Sequence, residues 1–302
     1  MHPRRFPLAL LVLGCLVVGG LSAGPAPKLP PGVKLEERPT EAQVTKIVLV
    51  AGPNYYKAGE HEYVAGCAVL MDLLRQTSGV FPVLALGWPT RPETFSGAKA
   101  VVFFVDGGDK HPILTGDRVT EVQKLLDSGA GLVQLHQVAD YPKDFGDRAR
   151  AWAGGAWEKG VGQRAHWVTS FKAFPDHPIC RGVAPFTIDD GWLYQNRFVD
   201  GKVGVTPLLR TVNPKSAAKL ADDAAIVSWA YDRPAPAGGK PGRSFTFTGA
   251  HLHASFAEEG YRRFLVNGIL WSAGLTVPGA GAPVSLDPAK LPTYLATPPT
   301  KK

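Results

Sequence analysis

Cysteine is scarce in this chain, with three in 302 residues, and one of them, Cys15, lies inside an amino-terminal apolar run. Cys67 and Cys180 are left for the rest of the chain, enough for one disulfide at most and not a thiolate metal motif. Cys67 sits among apolar residues at helical spacing and reads as a small core residue. Beyond the amino terminus no apolar run is long enough to span a bilayer, which excludes stable membrane insertion of the remaining chain. Arginine-rich stripes, recognition helices and zinc-finger spacings are also missing, so nucleic-acid binding is excluded. No glycine-rich phosphate loop with its Lys-Ser/Thr ending occurs, and no internal repeat.

What is present begins with a short basic start, Arg4-Arg5, followed by an apolar stretch to Leu21 and then small residues. That order predicts a secretion signal over residues 1–23 and a periplasmic or extracellular protein. An uncleaved anchor and, from Val12-Leu13-Gly14-Cys15, a lipidated terminus are the alternatives. Removing the signal takes away two arginines and no acid, so the formal charge falls from +7 to +5. The remaining basic residues are scattered, and their excess reads as solubility. Residues 24–45 are proline-rich and charged, as is the tail 277–302; between them lies one folded unit, 46–276.

Within that unit short apolar runs alternate with amphipathic stretches. Strands are expected at Lys46–Ala51, Phe81–Leu86, Ala100–Val105 and Gly131–Leu135. Helices are expected over Glu62–Thr77, around Val119–Leu126 and over Glu258–Ala273. The alternation predicts an α/β fold with a mostly parallel sheet covered on both faces. From Tyr141 to Asp232 the pattern loosens into alternating strands at His166–Phe174, Thr206–Val212 and Ala224–Ala230, separated by aromatic-rich loops, an antiparallel or irregular extension.

Histidine carries the functional signal. A strand is expected over Arg243–His253, and side chains at i and i+2 share a face, so His251 and His253 point the same way. His136 follows the fourth strand, and His61, beside Glu62, belongs to the glycine-bearing loop after the first. All four should lie at the carboxyl rim of the sheet, where open α/β folds bind ligands. Neutral imidazoles suit zinc or another divalent metal, with an open position for a reactive water. Alternatively one histidine shuttles protons while the others hold substrate hydroxyls. Candidate substrate contacts at the same rim are His61, Glu62, Asp106, Asp190 and Trp192. Trp152, Trp157, Trp167 and Trp229 join Trp192 in the irregular half, either as a sugar-stacking platform or as packing. His111, His166 and His177 lack a comparable position and are set outside the site.

Several phrases together resemble the ThuA-like, or trehalose-utilisation, family: Gly59-Glu-His-Glu62, Gly129-Ala-Gly-Leu-Val-Gln-Leu-His136, Asp189-Asp-Gly-Trp-Leu-Tyr194, Gly242 to His253, and Arg263 to Trp271. That resemblance implies a class I glutamine amidotransferase-like, flavodoxin-like three-layer sandwich. It also implies handling of trehalose-like disaccharides or oxidised, keto sugars. Where amidotransferases of that superfamily carry a cysteine and a His-x-Glu, the matching positions here are His136, His251 and His253, so glutamine hydrolysis is not expected. Gly191, after Asp190, departs from the Asp-Glu pair of the family and puts the role of that acid in doubt. The expectation is thus a sugar-active hydrolase or isomerase with His136, His251 and His253 in its reacting centre and a metal among His61, His136, His251 and His253. The alternatives are a non-catalytic carbohydrate-binding module and a hydrolase of amides or esters.

Overall fold

Alternate residues of the first strand face opposite layers, and the architecture follows from that. The computed structural model describes residues 29–40, 43–53, 55–216 and 221–295. In β1 (Thr45–Ala51), Ile47, Leu49 and Ala51 belong to one apolar cluster and Val48 and Val50 to another, all without solvent exposure. A strand apolar on both faces has to be covered twice. The first cluster contains residues of α1 (Tyr63–Leu74) and α4 (Glu259–Ser272), among them Leu70, Phe264 and Leu265. The second contains Val122 and Leu126 of α2 (Arg118–Asp127) and Trp152 of α3 (Gly146–Ala153). Each such side chain contributes about 1.5–3 kcal/mol on burial, which makes the two cores the main stabilising term.

β1 pairs in parallel with β2 (Val80–Leu86) on one side and β3 (Ala100–Phe104) on the other. The parallel set continues through β4 (Gly131–Leu135) to β12 (Gly242–Phe247). The order β2-β1-β3-β4-β12 is the flavodoxin-like one. Two antiparallel strands, β11 (Ile226–Arg233) and β10 (Val205–Arg210), extend the sheet to seven. Outside it, β7 (Gln163–Phe171) and β8 (Phe186–Tyr194) form an antiparallel ribbon. The short β5 (Asp140–Tyr141), β6 (Gly155–Glu158) and β9 (Arg197–Phe198) make a third sheet.

The expected α/β class and the parallel strands are therefore present, with differences that bear on function. The strand expected over Arg243–His253 stops at Phe247, so His251 and His253 are not strand neighbours. α3, β6 and β8 stand where the pattern was loop-like. Cys67 is a buried core residue, as its spacing implied, and it and Cys180 are free thiols. Described parts of the proline-rich segments pack on the fold: Val277, Ala282, Val284 and Leu291 are buried, and Leu291 starts a short α5 (Leu291–Tyr294). At the other end Leu35 bridges Leu84 of β2, and the buried Glu36 accepts bonds from the Thr90 and Arg91 amides. The signal expected at residues 1–23 lies outside the described residues. Among those described, no helix is long and apolar enough to cross a membrane.

Candidate functional site

His136 directly follows β4 and takes a left-handed backbone conformation, φ 62°. A non-glycine residue rarely does so, and the turn throws its side chain across the strand end instead of along it. Its Nδ1 lies 3.0 Å from the carbonyl oxygen of Thr248, just after β12. A carbonyl only accepts, so Nδ1 carries the proton and Nε2 of the neutral ring keeps its lone pair.

His61 is fixed by a longer relay. The Tyr63 hydroxyl donates to Asp106 Oδ1 at 2.6 Å, which uses its single proton. Toward His61 Nδ1, 2.9 Å away, the same hydroxyl must therefore accept, and His61 is also left with a bare Nε2. Tyr56 stacks on the His61 ring at 3.8 Å and donates to the same Asp106 oxygen at 2.9 Å. Such outer partners set the tautomer and orientation of metal-binding histidines.

His251 arrives on the loop beyond β12, which the preceding loop 59–61 grips. His61 N donates to the His251 carbonyl and His253 N to that of Gly59, each at 2.9 Å. Asp190 of β8 holds the same loop from below. Its Oδ1 accepts from the amides of Gly191, His251 and Leu252, and its Oδ2 from that of Ala250. Burial pushes this carboxyl up to about 6 even against those four donors. Gly191 leaves room for the imidazole, since a Cβ there would come within 3.0 Å of both His251 and His166.

One ring nitrogen from each of His61, His136 and His251 lies within 4.8 Å of the other two. His136 Nε2 and His251 Nδ1 are 3.3 Å apart. Two ligands of a tetrahedral zinc with bonds of about 2.0–2.1 Å stand about 3.4 Å apart, so the spacing suits such an ion. Burial holds the rings neutral: His61 is pushed down to about 3, His251 to about 4, and His136 well below the usual imidazole range. The positive charge of one ring on the next adds to the effect, so lone pairs are available at neutral pH.

His253 does not join them. Its Nε2 reaches the Leu291 carbonyl at 3.3 Å, and it begins a 3-10 turn, His253–Ala257, that carries it away from His251. The i, i+2 rule fails because the strand has already ended. Asp190, expected against substrate, is fully buried with both oxygens on amides or the Ser255 hydroxyl. Asp106 acts behind His61 through Tyr63, and Glu62, at the cap of α1, accepts from the Gly59 amide. Trp192 borders the histidine cavity, but its indole donates to the Trp167 carbonyl. Trp152, Trp157, Trp167 and Trp229 are likewise buried with their N–H groups bonded internally, which makes them packing residues and not a sugar platform.

His166, set aside from the sequence, belongs at the rim. Its ring centroid is 4.3 Å from that of His251, and β7 pairs it with Gly191. Arg164, two residues earlier, lines the same cavity, with Nη2 on Asp140 Oδ2 at 2.8 Å and its guanidinium 4.3 Å from the Trp157 ring. The signal that would have found them is in β8: Asp190 occupies the apolar phase of Phe186, Ile188, Trp192 and Tyr194, which marks an inward strand and therefore a partner strand. The cavity holds about 210 Å³, and the residues lining it include no carboxylate.

Among curated proteins no sequence matches the chain. Of solved structures, a ThuA-like protein from Parabacteroides merdae is similar at 14% identity and TM-score 0.54, over 78% of this chain and 92% of that one. Another from Bacteroides uniformis matches at 13% identity and TM-score 0.56, over 82% and 98%. These likenesses speak for the fold. The ThuA family, described as trehalose utilisation, matches residues 48–272, three quarters of the sequence. The chain therefore belongs to the ThuA, trehalose-utilisation, family, and its role is carbohydrate-related.

Proposed function

We propose that this protein is an exported, metal-dependent enzyme that acts on a trehalose-like disaccharide or an oxidised, keto sugar. The observation that supports this most is the convergence of His61, His136 and His251, two of them with Nδ1 engaged so that their Nε2 is left bare. Zinc or a similar divalent ion fits that all-nitrogen set. When bound it supplies a Lewis acid for a carbonyl or hydroxyl oxygen of the sugar.

The chain's own groups do the rest. His61 and His136 are locked in one tautomer by Tyr63 and Thr248 and serve as holders, not proton carriers. His166 is exposed and beside His251, placed to move a proton between substrate and solvent. Arg164, steadied by Asp140 and Trp157, offers donors to sugar oxygens at the rim. Glycoside hydrolysis calls for two carboxylates flanking the bond, whereas Glu60 and Asp189 act on the His251 charge without lining the cavity. Proton transfer at a carbonyl-bearing sugar suits the site better. A cavity of about 210 Å³ is below the ~300–1,000 Å³ of typical organic-ligand sites, so it admits one sugar ring with the rest of a disaccharide outside.

Elemental analysis of protein purified without chelator tests the proposal. One equivalent of a divalent metal is expected, with His136→Ala and His251→Ala weakening zinc binding by more than the ~100-fold seen when only an orienting partner is lost. Turnover of trehalose and of keto-disaccharides should vanish on chelation and return with metal. Wild type that neither contains metal nor takes up zinc would overturn the metal reading. Sugars that bind without being altered would replace the enzyme with a binding module.

A further inference from the structure

A second cavity, of about 390 Å³, opens beyond the carboxyl ends of β1, β2 and β3, where Gly52, Gly87 and Asp106 form its floor. This is the point at which strand order reverses, with β2 on one side of β1 and β3 on the other. Ligands of open α/β sheets sit outside the strand ends at such a point. Its volume falls within the range of small organic ligand sites.

The far wall carries two cations, Lys110 and Arg118. Both are held by neutral groups. Arg118 Nη1 donates to the Pro112 carbonyl at 3.0 Å, and its guanidinium lies 4.8 Å from the Trp88 ring; the Lys110 ammonium is 6.0 Å from the Tyr55 ring. Those contacts orient the charge, and burial costs Arg118 enough hydration to lower its pKa even though Glu121, which accepts from the Trp88 indole, favours the charged form. An oriented, partly desolvated guanidinium with an ammonium beside it recognises an oxyanion. Across the cavity stands Asp106, whose Oδ1 takes the Tyr56 and Tyr63 hydroxyls and whose Oδ2, without a hydrogen-bond partner among the described residues, can accept from a ligand hydroxyl.

We infer that this cavity is a second binding site, for a sugar-sized polyol bearing one phosphate or carboxylate, with the oxyanion on Lys110 and Arg118 and a hydroxyl on Asp106. The site is distinct from the three histidines but adjoins them through the loop between β1 and α1 and through Asp106, whose Oδ1 holds the Tyr63 hydroxyl that contacts His61. Tyr55 faces this cavity, whereas Tyr56 and His61 belong to the other site.

Calorimetric titration of the full chain at low ionic strength with glucose 6-phosphate, gluconate, inorganic phosphate and glucose decides the matter. At least one charged sugar should bind saturably, and the tighter of the two tells phosphate from carboxylate. Lys110→Ala removes an exposed side chain and should weaken that binding about tenfold, as loss of one charge-assisted bond does. Arg118→Gln should weaken it further, and His136→Ala should leave it unchanged. The inference fails if neither charged sugar binds below about 10 mM, a free energy too small for a built site. It also fails if glucose or inorganic phosphate binds as tightly, if Lys110→Ala has no effect, or if His136→Ala abolishes binding.

Discussion

His61, His136 and Ala250 all adopt positive φ, at 51°, 62° and 74°, although none is glycine. Each such residue costs about 1–3 kcal/mol, and all three meet at the histidine cluster. Thr248, Asp190 and the loop pairing hold that strain in place, which is what a site needs when its side chains must leave the sheet at fixed angles. Gly191 is the complementary case, a residue whose missing Cβ makes the space that His251 and His166 use. Gly191→Ala should push the His251 ring aside by a few tenths of an ångström and weaken zinc binding about tenfold or more. Its melting temperature should fall modestly, because the His251 Cβ, fixed to its backbone, must yield along with the rings. Zinc titration beside calorimetry checks this; an unaltered affinity would show that the ring has slack. At this scale His136 and His251 were legible from their place after apolar runs. His253 was not, because a strand and the loop beyond it look alike when both are apolar and glycine-bearing.

Among elements, β8 decides most. It delivers Asp190 beneath the loop after β12, where one carboxylate satisfies four amides that would otherwise be buried without partners. Asparagine has the same shape but only one accepting oxygen, so Asp190→Asn sets an NH2 group against at least one N–H. A loss of about 2–3 kcal/mol is expected from the unsatisfied buried donors. Urea unfolding should show it as a lower midpoint with an unchanged slope, and zinc binding should weaken in step because His251 rides on that loop. A fully stable Asp190→Asn protein would mean that the loop is held by the pairing with residues 59–61 alone. The alternation of Phe186, Ile188, Trp192 and Tyr194 was visible in the chain, but Asp190 and Gly191 interrupted it and masked the strand.

Over the whole molecule, the carboxyl-terminal segment behaves as part of the core. Arg262 Nε and Asn267 Oδ1 of α4 bond the Val284 carbonyl and the Ala282 amide, and the Gln76 side chain brackets Ser285 with two bonds of 2.8 Å. Truncation after Thr276 removes the buried Val277, Ala282, Val284 and Leu291, uncovers the apolar surface they cover, and takes the Leu291 carbonyl from His253. A net loss on the order of 5 kcal/mol is expected from that apolar area. For a domain of this size it corresponds to a fall of about 10 °C or more in Tm, readable by calorimetry. A truncated protein melting with wild type would show the segment to be a dispensable cover. Proline content made this stretch look like a free tail, yet proline excludes regular structure and not burial.

The chain alone determined the layers and the parallel strands, because strands buried on both faces must be apolar at successive positions and that pattern is local. It also determined that histidines would collect at strand ends, since strand termini are visible where apolar runs stop. Only the tertiary structure decided which imidazoles meet. His166 enters because β7 and β8 pair across the cavity, and His253 leaves because the backbone turns at Ala250. Register and loop direction are set by contacts between residues distant in sequence, and no local pattern encodes them.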